Sequence, residues 1–157
     1  MTRAMPPYHL HQEQFIARDL VETFSFFEDA SNLQAITPAS LDFRITTPLP
    51  IEMATGTLID YQLKLCRIPF RWQTRITDYT PPKCFVDEQI SGPYQLWRHR
   101  HEFQTVEGGT LMTDDIDYAI GWGLLGKVAH ATFVQRMLRN IFAYRRERIE
   151  VLIGGRT

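Results

Sequence analysis

Alternating apolar and polar positions predict β-strands in the part of the chain before Gly121. Residues 8–17 form the first candidate strand, and six further candidates lie between residues 41 and 118. Because successive side chains of a strand point to opposite faces, each candidate has one apolar face that can pack against a core. The strand over 41–46, for example, directs Leu41, Phe43 and Ile45 to one side. Breaks between the later strands fall at turn-forming pairs, which are Pro81-Pro82, Gly92-Pro93 and Gly108-Gly109.

Two short helices are predicted after the first strand. Asp19 is a good N-cap for a helix beginning at Leu20, and Glu22 occupies the position from which a capping-box acid reaches back to the cap. A second helix is predicted over 32–36. It ends before Pro38, because the residue before a proline avoids helical dihedral angles.

A long helix is predicted at the C-terminal end, from about residue 125 to residue 153. Apolar residues recur there at the three- and four-residue steps of a helix, namely Val134, Met137, Leu138, Ile141, Ile149 and Leu152. Such a helix has about 28 residues and a length of about 42 Å, and Gly154-Gly155 ends it. The order of elements is that of an α+β chain, in which the long helix covers the dry face of an antiparallel sheet.

One predicted hairpin carries the most informative residues. The strand Trp97-Arg98-His99-Arg100-His101-Glu102-Phe103 places its aromatic and imidazole side chains on one face and its charged side chains on the other. A two-residue turn at Glu107-Gly108 would fix the register with the next strand. That register places Phe103 opposite Met112, His101 opposite Asp114, His99 opposite Ile116 and Trp97 opposite Tyr118. Two imidazoles and a carboxylate would then face the interior.

The inward aromatic set predicts a cavity between the sheet and the long helix. Its walls are expected to be Tyr61, Trp72, Trp97, Phe103, Met112 and Tyr118, with Met137 and Ile141 on the helix side. An apolar wall with few polar groups suits a flat or acyl-like ligand. Side chains that simply pack on one another are the alternative interpretation of the same pattern.

The polar group of His99, His101 and Asp114 is open to four interpretations. It can be a buried network that is either purely structural or anchors a ligand, or it can be a set of passive ligand contacts. It can also be an acid/base pair, in which Asp114 orients His101 and raises its basicity. A metal site is the fourth interpretation, but it lacks an obvious third ligand unless Asp114 or Asp87 supplies one. We expect no metal and no cofactor.

Composition and charge narrow the class of protein. The 157 residues are most simply one domain over 8–157, preceded by a disordered or extended segment over 1–7. A net charge of −1 does not favour a nucleic-acid partner, and no apolar run is long enough for stable membrane insertion. The N-terminus has no apolar signal core, which predicts a cytoplasmic protein. Cys66 and Cys84 are expected to be reduced thiols.

The long helix is rich in positive charge. Lys127, Arg136, Arg139, Arg145, Arg146 and Arg148 outnumber Glu147 and Glu150. A solvated helix face is the ordinary interpretation, and docking on an anionic membrane or on an acidic partner is the alternative.

Several stretches resemble a known superfamily. They are Ile36-Thr37-Pro38, Phe85-Val86-Asp87, Gly92-Pro93-Tyr94, the strand from Trp97 to Phe103, and Gly109-Thr110-Leu111-Met112-Thr113-Asp114. With the order of elements, they resemble the START-like (SRPBCC) superfamily, which includes Bet v 1 allergens and polyketide cyclases. The chain is more specifically similar, over residues 8–153, to bacterial cyclase/dehydrase-like ligand-binding proteins with a W-x-H-x-H-x-F strand. The resemblance implies a helix-grip fold, with about seven antiparallel strands wrapped around the C-terminal helix.

The sequence alone leaves it ambiguous whether Asp87 and Gln89 face the interior. A two-residue Gly92-Pro93 turn would direct Val86 and Ile90 inward. A three-residue loop would instead place Gln89 opposite Trp97 and Asp87 opposite His99. The resemblance favours the second register, because the subgroup carries an acid at the position of Asp87, and it makes Asp87 and Gln89 candidate ligand contacts. Arg67 stands where relatives often have glycine, so we expect a wider turn over 66–69.

The leading hypothesis is a soluble binding protein for a hydrophobic or aromatic small molecule held in the cavity. The first alternative is a cyclase/dehydratase-type enzyme with His101 as base, Asp114 as its partner, and Tyr118 or His99 as acid. The second is a membrane- or protein-docking domain that uses the basic helix. The sequence leaves a homodimer open.

Overall fold

The computed structural model describes residues 7–154. Its largest element is a seven-stranded antiparallel sheet. The strands are β1 (Tyr8–Ile16), β2 (Arg44–Ile45), β3 (Leu58–Leu65), β4 (Ile68–Thr80), β5 (Cys84–Ser91), β6 (Leu96–Val106) and β7 (Gly109–Ala119). Their spatial order is β1-β7-β6-β5-β4-β3-β2, so consecutive strands from β2 to β7 are neighbours and β1 closes the far edge. The expectations for residues 1–6 and for Gly155 lie outside the described residues.

The helices take the places that the sequence pattern predicts. Between β1 and β2 lie α1 (Leu20–Glu28) and α2 (Ser31–Ala35). After β7 come α3 (Gly123–Ala129) and α4 (Gln135–Ile149), which a five-residue π-helical segment joins into one continuous helix. A second π-helical segment extends it over Glu150–Gly154. The predicted α+β helix-grip architecture is therefore confirmed. No helix in the described part of the chain is both long enough and apolar enough to span a bilayer.

Three local expectations need correction. The backbone N–H of Glu22 does donate to the Asp19 side chain (2.8 Å), but the Glu22 carboxylate pairs with Arg18 (3.1 Å) rather than reaching back to the cap. The predicted strand over 41–46 shortens to Arg44–Ile45, because a single 3-10 turn over Ala39–Leu41 takes up its start. Ile149 is buried as predicted, whereas Leu152 is 39% exposed.

The core divides into two clusters on the concave face of the sheet. The first joins Phe43, Leu63, Trp72, Trp97, Ile116 and Tyr118 to Leu138 and Phe142 of α4. The second joins Ile16, Phe85, Phe103 and Met112 to Phe24 of α1, Ile36 and Ile149. The long helix therefore covers the sheet along its length, as expected for a helix-grip fold, and α1 closes one end.

The turn between β3 and β4 is tight, which corrects the expectation of a wider one. Leu65 pairs directly with Ile68, so Cys66 and Arg67 alone form the turn, with φ angles of 50° and 67°. Two successive positive φ values are the signature of a type I′ turn, whose twist matches that of the flanking strands. Strand pairing thus overrides the poor preference of arginine for this conformation.

Replacing Arg67 with glycine should stabilise the protein. Glycine adopts a positive φ without a Cβ clash, although it loses more backbone entropy on folding, so we expect a net gain of about 0.5 kcal/mol. Urea denaturation of Arg67→Gly would measure it. Lys64→Gly, inside β3, is the matched control and should be destabilised. A loss of stability in Arg67→Gly as large as that in the control would contradict the turn assignment.

Candidate functional site

The predicted polar residues meet on the concave face of three adjacent strands. Asp87 of β5 pairs with His99 of β6, and His101 of β6 pairs with Asp114 of β7. The predicted β6–β7 register is confirmed in full. The structure also decides the register of β5 in favour of the longer loop, because Asp87 lies opposite His99 and Ile90 is 46% exposed.

The four side chains form two stacked imidazoles between two carboxylates. His99 Nε2 donates to Asp114 Oδ1 (2.8 Å), and His101 Nε2 donates to Asp87 Oδ2 (2.9 Å). The ring centroids of the two histidines are 3.7 Å apart. The remaining nitrogens also face carboxylates: His101 Nδ1 lies 3.1 Å from Asp114 and His99 Nδ1 lies 3.9 Å from Asp87. The 3.1 Å contact is not aligned as a hydrogen bond, so His101 Nδ1 has no hydrogen-bond partner among the described residues.

Charge is distributed unequally over this network. Burial and the neighbouring His101 lower the pKa of His99, and these effects exceed the opposing influence of the two carboxylates. Burial would also lower the pKa of His101, but Asp114 and Asp87 outweigh it and raise that pKa. Burial opposes ionisation of Asp114 and Asp87, yet both pKa values are lowered by the histidines. The additional proton of the network therefore belongs on His101, which has a carboxylate beside each ring nitrogen.

Metal-ligand geometry is present only in part. One donor atom each from Asp87, His99 and His101 lies within 4.8 Å of the others. The Nε2 atoms of both histidines are hydrogen-bonded to carboxylates, however, so neither is free to bind an ion in this arrangement. A second group of this kind in the described residues is His9, His11 and Asp115, on the outer surface of β1 and β7.

A cavity of about 180 Å³ lies between the sheet and the helices. Most of the predicted site residues line it, and these are Tyr61, Trp72, Asp87, Trp97, His99, His101, Met112, Met137 and Ile141. The helical side adds residues that the sequence analysis does not assign to it, among them Phe26, Phe27 and Leu33 from α1 and α2. The wall is thus mainly aromatic and aliphatic, with the histidine–carboxylate network as its principal polar region.

Four predicted site residues lie elsewhere. Asp114 lies behind the histidines and reaches the cavity only through them. Gln89 holds the loop after β5, because its amide donates to Tyr94 O (2.7 Å) and accepts from Tyr94 N (3.2 Å). Phe103 packs edge-on against Phe24 in the second core cluster.

Tyr118 is the fourth of these residues, and its hydroxyl shares a buried 2.7 Å hydrogen bond with His130 Nε2. It lies four residues from Asp114 along β7, or roughly 13 Å at the rise of a strand. Its assignment as an acid beside His101 is therefore corrected. The sequence pattern could not place His130 in this pair, because the contact depends on how the helix crosses the sheet.

Arg145 is the cavity residue that the solvated-face interpretation misses. Its side chain lines the cavity, and its Cζ lies 5.0 Å from the centre of the Phe142 ring. The spacing of residues in the sequence does indicate that Arg145 faces inward. Steps of four, three and four residues place it on one helix face with Leu138, Phe142 and Ile149. The neighbouring arginines are also engaged: Arg146 donates to Glu13 O (2.8 Å) and Arg148 to Ala35 O (3.3 Å).

The chain has a START/Bet v 1-like helix-grip fold with a small, partly polar cavity. Similar solved structures include a protein of Thermus thermophilus (11% identity, TM-score 0.71, covering 92% of this chain and 98% of that one). A START superfamily protein from Mycobacterium smegmatis aligns with 11% identity, TM-score 0.67 and the same coverage. Major latex-like protein 151 from Panax ginseng aligns with 13% identity and TM-score 0.67, covering 94% and 97%. No protein-family model and no curated protein matches the sequence.

Proposed function

We propose that this protein binds a small apolar molecule in the cavity between the sheet and the long helix. The observation that carries the proposal is an aromatic-lined space in which a few polar groups, chiefly Asp87, His99, His101 and Arg145, face the cavity from the sheet and the long helix. Trp72 Nε1 adds support, because it is buried without a hydrogen-bond partner among the described residues and lines the same space. An apolar wall provides affinity, while a few oriented polar groups provide specificity.

The cavity volume indicates the size of the ligand. An engineered apolar cavity of about 150 Å³ is enough to hold one benzene molecule, and this cavity measures about 180 Å³. Drug-sized ligands occupy clefts of roughly 300–1,000 Å³. The enclosed part of the ligand is therefore a single aromatic ring or a short acyl group.

The network suits ligand anchoring better than base catalysis. A general base needs a free nitrogen directed at its substrate, yet the Nε2 atoms of His99 and His101 both donate to carboxylates. The same contacts count against His101 as a general acid, because its Nε2–H is bound to Asp87 and its Nδ1 faces Asp114. In either role the partner of His101 at the cavity wall is Asp87, beside the expected Asp114.

A thermal-shift screen with single-ring compounds tests binding. The panel would include indole, p-cresol, phenylacetate and short-chain acyl compounds. At a ligand concentration about 100 times Kd, the folded state gains about 2.7 kcal/mol, which corresponds to a rise in Tm of roughly 5–10 °C for a domain of this size.

The matched variants place a tryptophan inside and outside the cavity. Met137→Trp adds a ring to the cavity wall and should abolish the rise in Tm. Phe133→Trp lies on the same helix but is exposed, and it should keep the rise. A panel in which no compound raises the Tm would refute the proposal, as would equal shifts in Met137→Trp and the wild type.

A further inference from the structure

We propose that the ligand is a carboxylic acid whose carboxylate binds Arg145, with its ring or acyl group in the aromatic part of the cavity. This inference rests on the proposed binding function and names the chemical class of the ligand.

The guanidinium of Arg145 lacks the partners that such a group normally has. The side chain is half-buried, its Nε is buried without a hydrogen-bond partner, and no ion pair or side-chain hydrogen bond joins it to another of residues 7–154. Among the described residues its specific contact is with the face of the Phe142 ring, 5.0 Å from the ring centre. Removing a charged donor from water without providing an acceptor is costly, so an acceptor inside the cavity would relieve an existing penalty.

The carboxylates that line the cavity have other partners, since Glu28 accepts from Tyr79 and Asp29 accepts from Ser31. The cavity-facing Asp87 and the deeper Asp114 each accept a hydrogen bond from a histidine, and they act on Arg145 only through space. Burial lowers the pKa of Arg145, while the charges of Asp114 and Asp87 oppose that shift without a hydrogen bond to the guanidinium. Arg145 differs in this respect from Arg146 and Arg148, whose guanidinium groups find backbone carbonyls.

The shape of the group indicates a carboxylate. A planar guanidinium offers parallel N–H donors that match the two oxygens of a carboxylate. Arg145 also lies beside Phe142, Tyr61 and the rest of the aromatic wall, so one small molecule can contact both its charge and the apolar space. An aromatic or short-chain carboxylic acid combines these two features within the available volume.

A pair of nearly isosteric probes separates charge from shape. Phenylacetate and phenylacetamide fill almost the same volume, but only the first carries a negative charge. Calorimetric titration of the full chain should show phenylacetate binding at least about tenfold more tightly, the difference that one charge-assisted bidentate contact provides.

Three variants test whether Arg145 causes the difference in affinity between phenylacetate and phenylacetamide. Arg145→Met should reduce the affinity for phenylacetate at least about tenfold and leave that for phenylacetamide unchanged. Arg145→Lys should recover part of the lost affinity, because lysine keeps the positive charge but lacks the parallel N–H donors of a guanidinium. Arg136→Met, an exposed arginine of the same helix, is the control and should bind like the wild type.

The stability of the unliganded variants gives an independent measurement. If Arg145 serves to bind a ligand, Arg145→Met should have a Tm equal to or above that of the wild type, because the variant removes a buried N–H donor that has no partner among the described residues. A clear fall in its Tm would instead indicate a structural arginine and would overturn the inference.

The remaining outcomes distinguish this inference from the proposed function. Equal affinity for the acid and the amide, or unchanged phenylacetate binding in Arg145→Met, would overturn the carboxylate assignment while leaving the cavity as a binding site. Binding of indole or p-cresol without binding of phenylacetate would have the same consequence. If no probe of any kind binds, the proposed function fails and this inference fails with it.

Discussion

Replacing Asp114 with alanine is expected to lower the free energy of unfolding by about 3 kcal/mol. The carboxylate lies between two buried imidazoles, and its loss leaves His99 Nε2 and His101 Nδ1 without the oxygen they face. Buried polar groups that lose their partner incur their full desolvation cost. Urea denaturation would show this as a lower midpoint with an unchanged m-value.

Asp117→Ala is the matched control for this substitution. Asp117 lies on the same strand, three residues away and on the opposite face, where it pairs with the exposed His9 (2.8 Å). Exposed pairs of this kind contribute about 0–1 kcal/mol. Similar losses of stability in the two variants would contradict the description of Asp114 as a buried bridging group.

The same carboxylate makes stability depend on pH in a defined direction. The folded state lowers the pKa of Asp114 and Asp87 below the ordinary value of 3.8, so the unfolded chain binds more protons in that range. The stabilisation is present above pH 3.8 and is lost as the pH falls towards the lowered values. We expect the curve of unfolding free energy against pH to fall less steeply in Asp114→Ala than in Asp117→Ala.

The two histidines act with opposite signs near neutrality. The raised pKa of His101 adds stability below its ordinary value of 6.5, and this is lost as the pH rises through the raised value. The lowered pKa of His99 adds stability above 6.5, which is lost as the pH falls. The contributions offset one another, so the carboxylates dominate the acid side of the curve. Parallel acid limbs in Asp114→Ala and Asp117→Ala would contradict this account.

The hairpin at Glu107-Gly108 shows why part of the site is predictable from sequence. A two-residue turn and strict alternation on both strands leave one register that buries Trp97, His101 and Met112 together. Local chemistry therefore determines which residues share a face. The sequence pattern does not predict which atoms are in contact. The stacking of His99 on His101, for example, depends on side-chain rotamers that the pattern does not determine.

Long-range packing explains what the sequence pattern misses. Tyr118 shares the inner face as predicted, but the crossing helix brings His130 to its hydroxyl and removes it from the histidine network. Arg145 follows the buried stripe of α4, yet charge alone suggests a solvated position. Gln89 has the predicted strand position, and the loop of Tyr94 then takes up its amide. In each case a neighbour distant in sequence decides the role.

Phe24→Ala is expected to lower the free energy of unfolding by about 4 kcal/mol. Phe24 is 2% exposed and meets Phe85 and Phe103 edge-to-face, with ring centroids 5.9 and 5.3 Å apart. Alanine would leave a void under α1, whose later residues line one end of the cavity. Val21→Ala, on the exposed side of the same helix, is the control and should change the free energy of unfolding by less than about 0.5 kcal/mol.

Because α1 and α2 close the cavity, we also expect Phe24→Ala to weaken any ligand-induced rise in Tm. A variant that keeps wild-type stability would show that α1 does not anchor this end of the sheet.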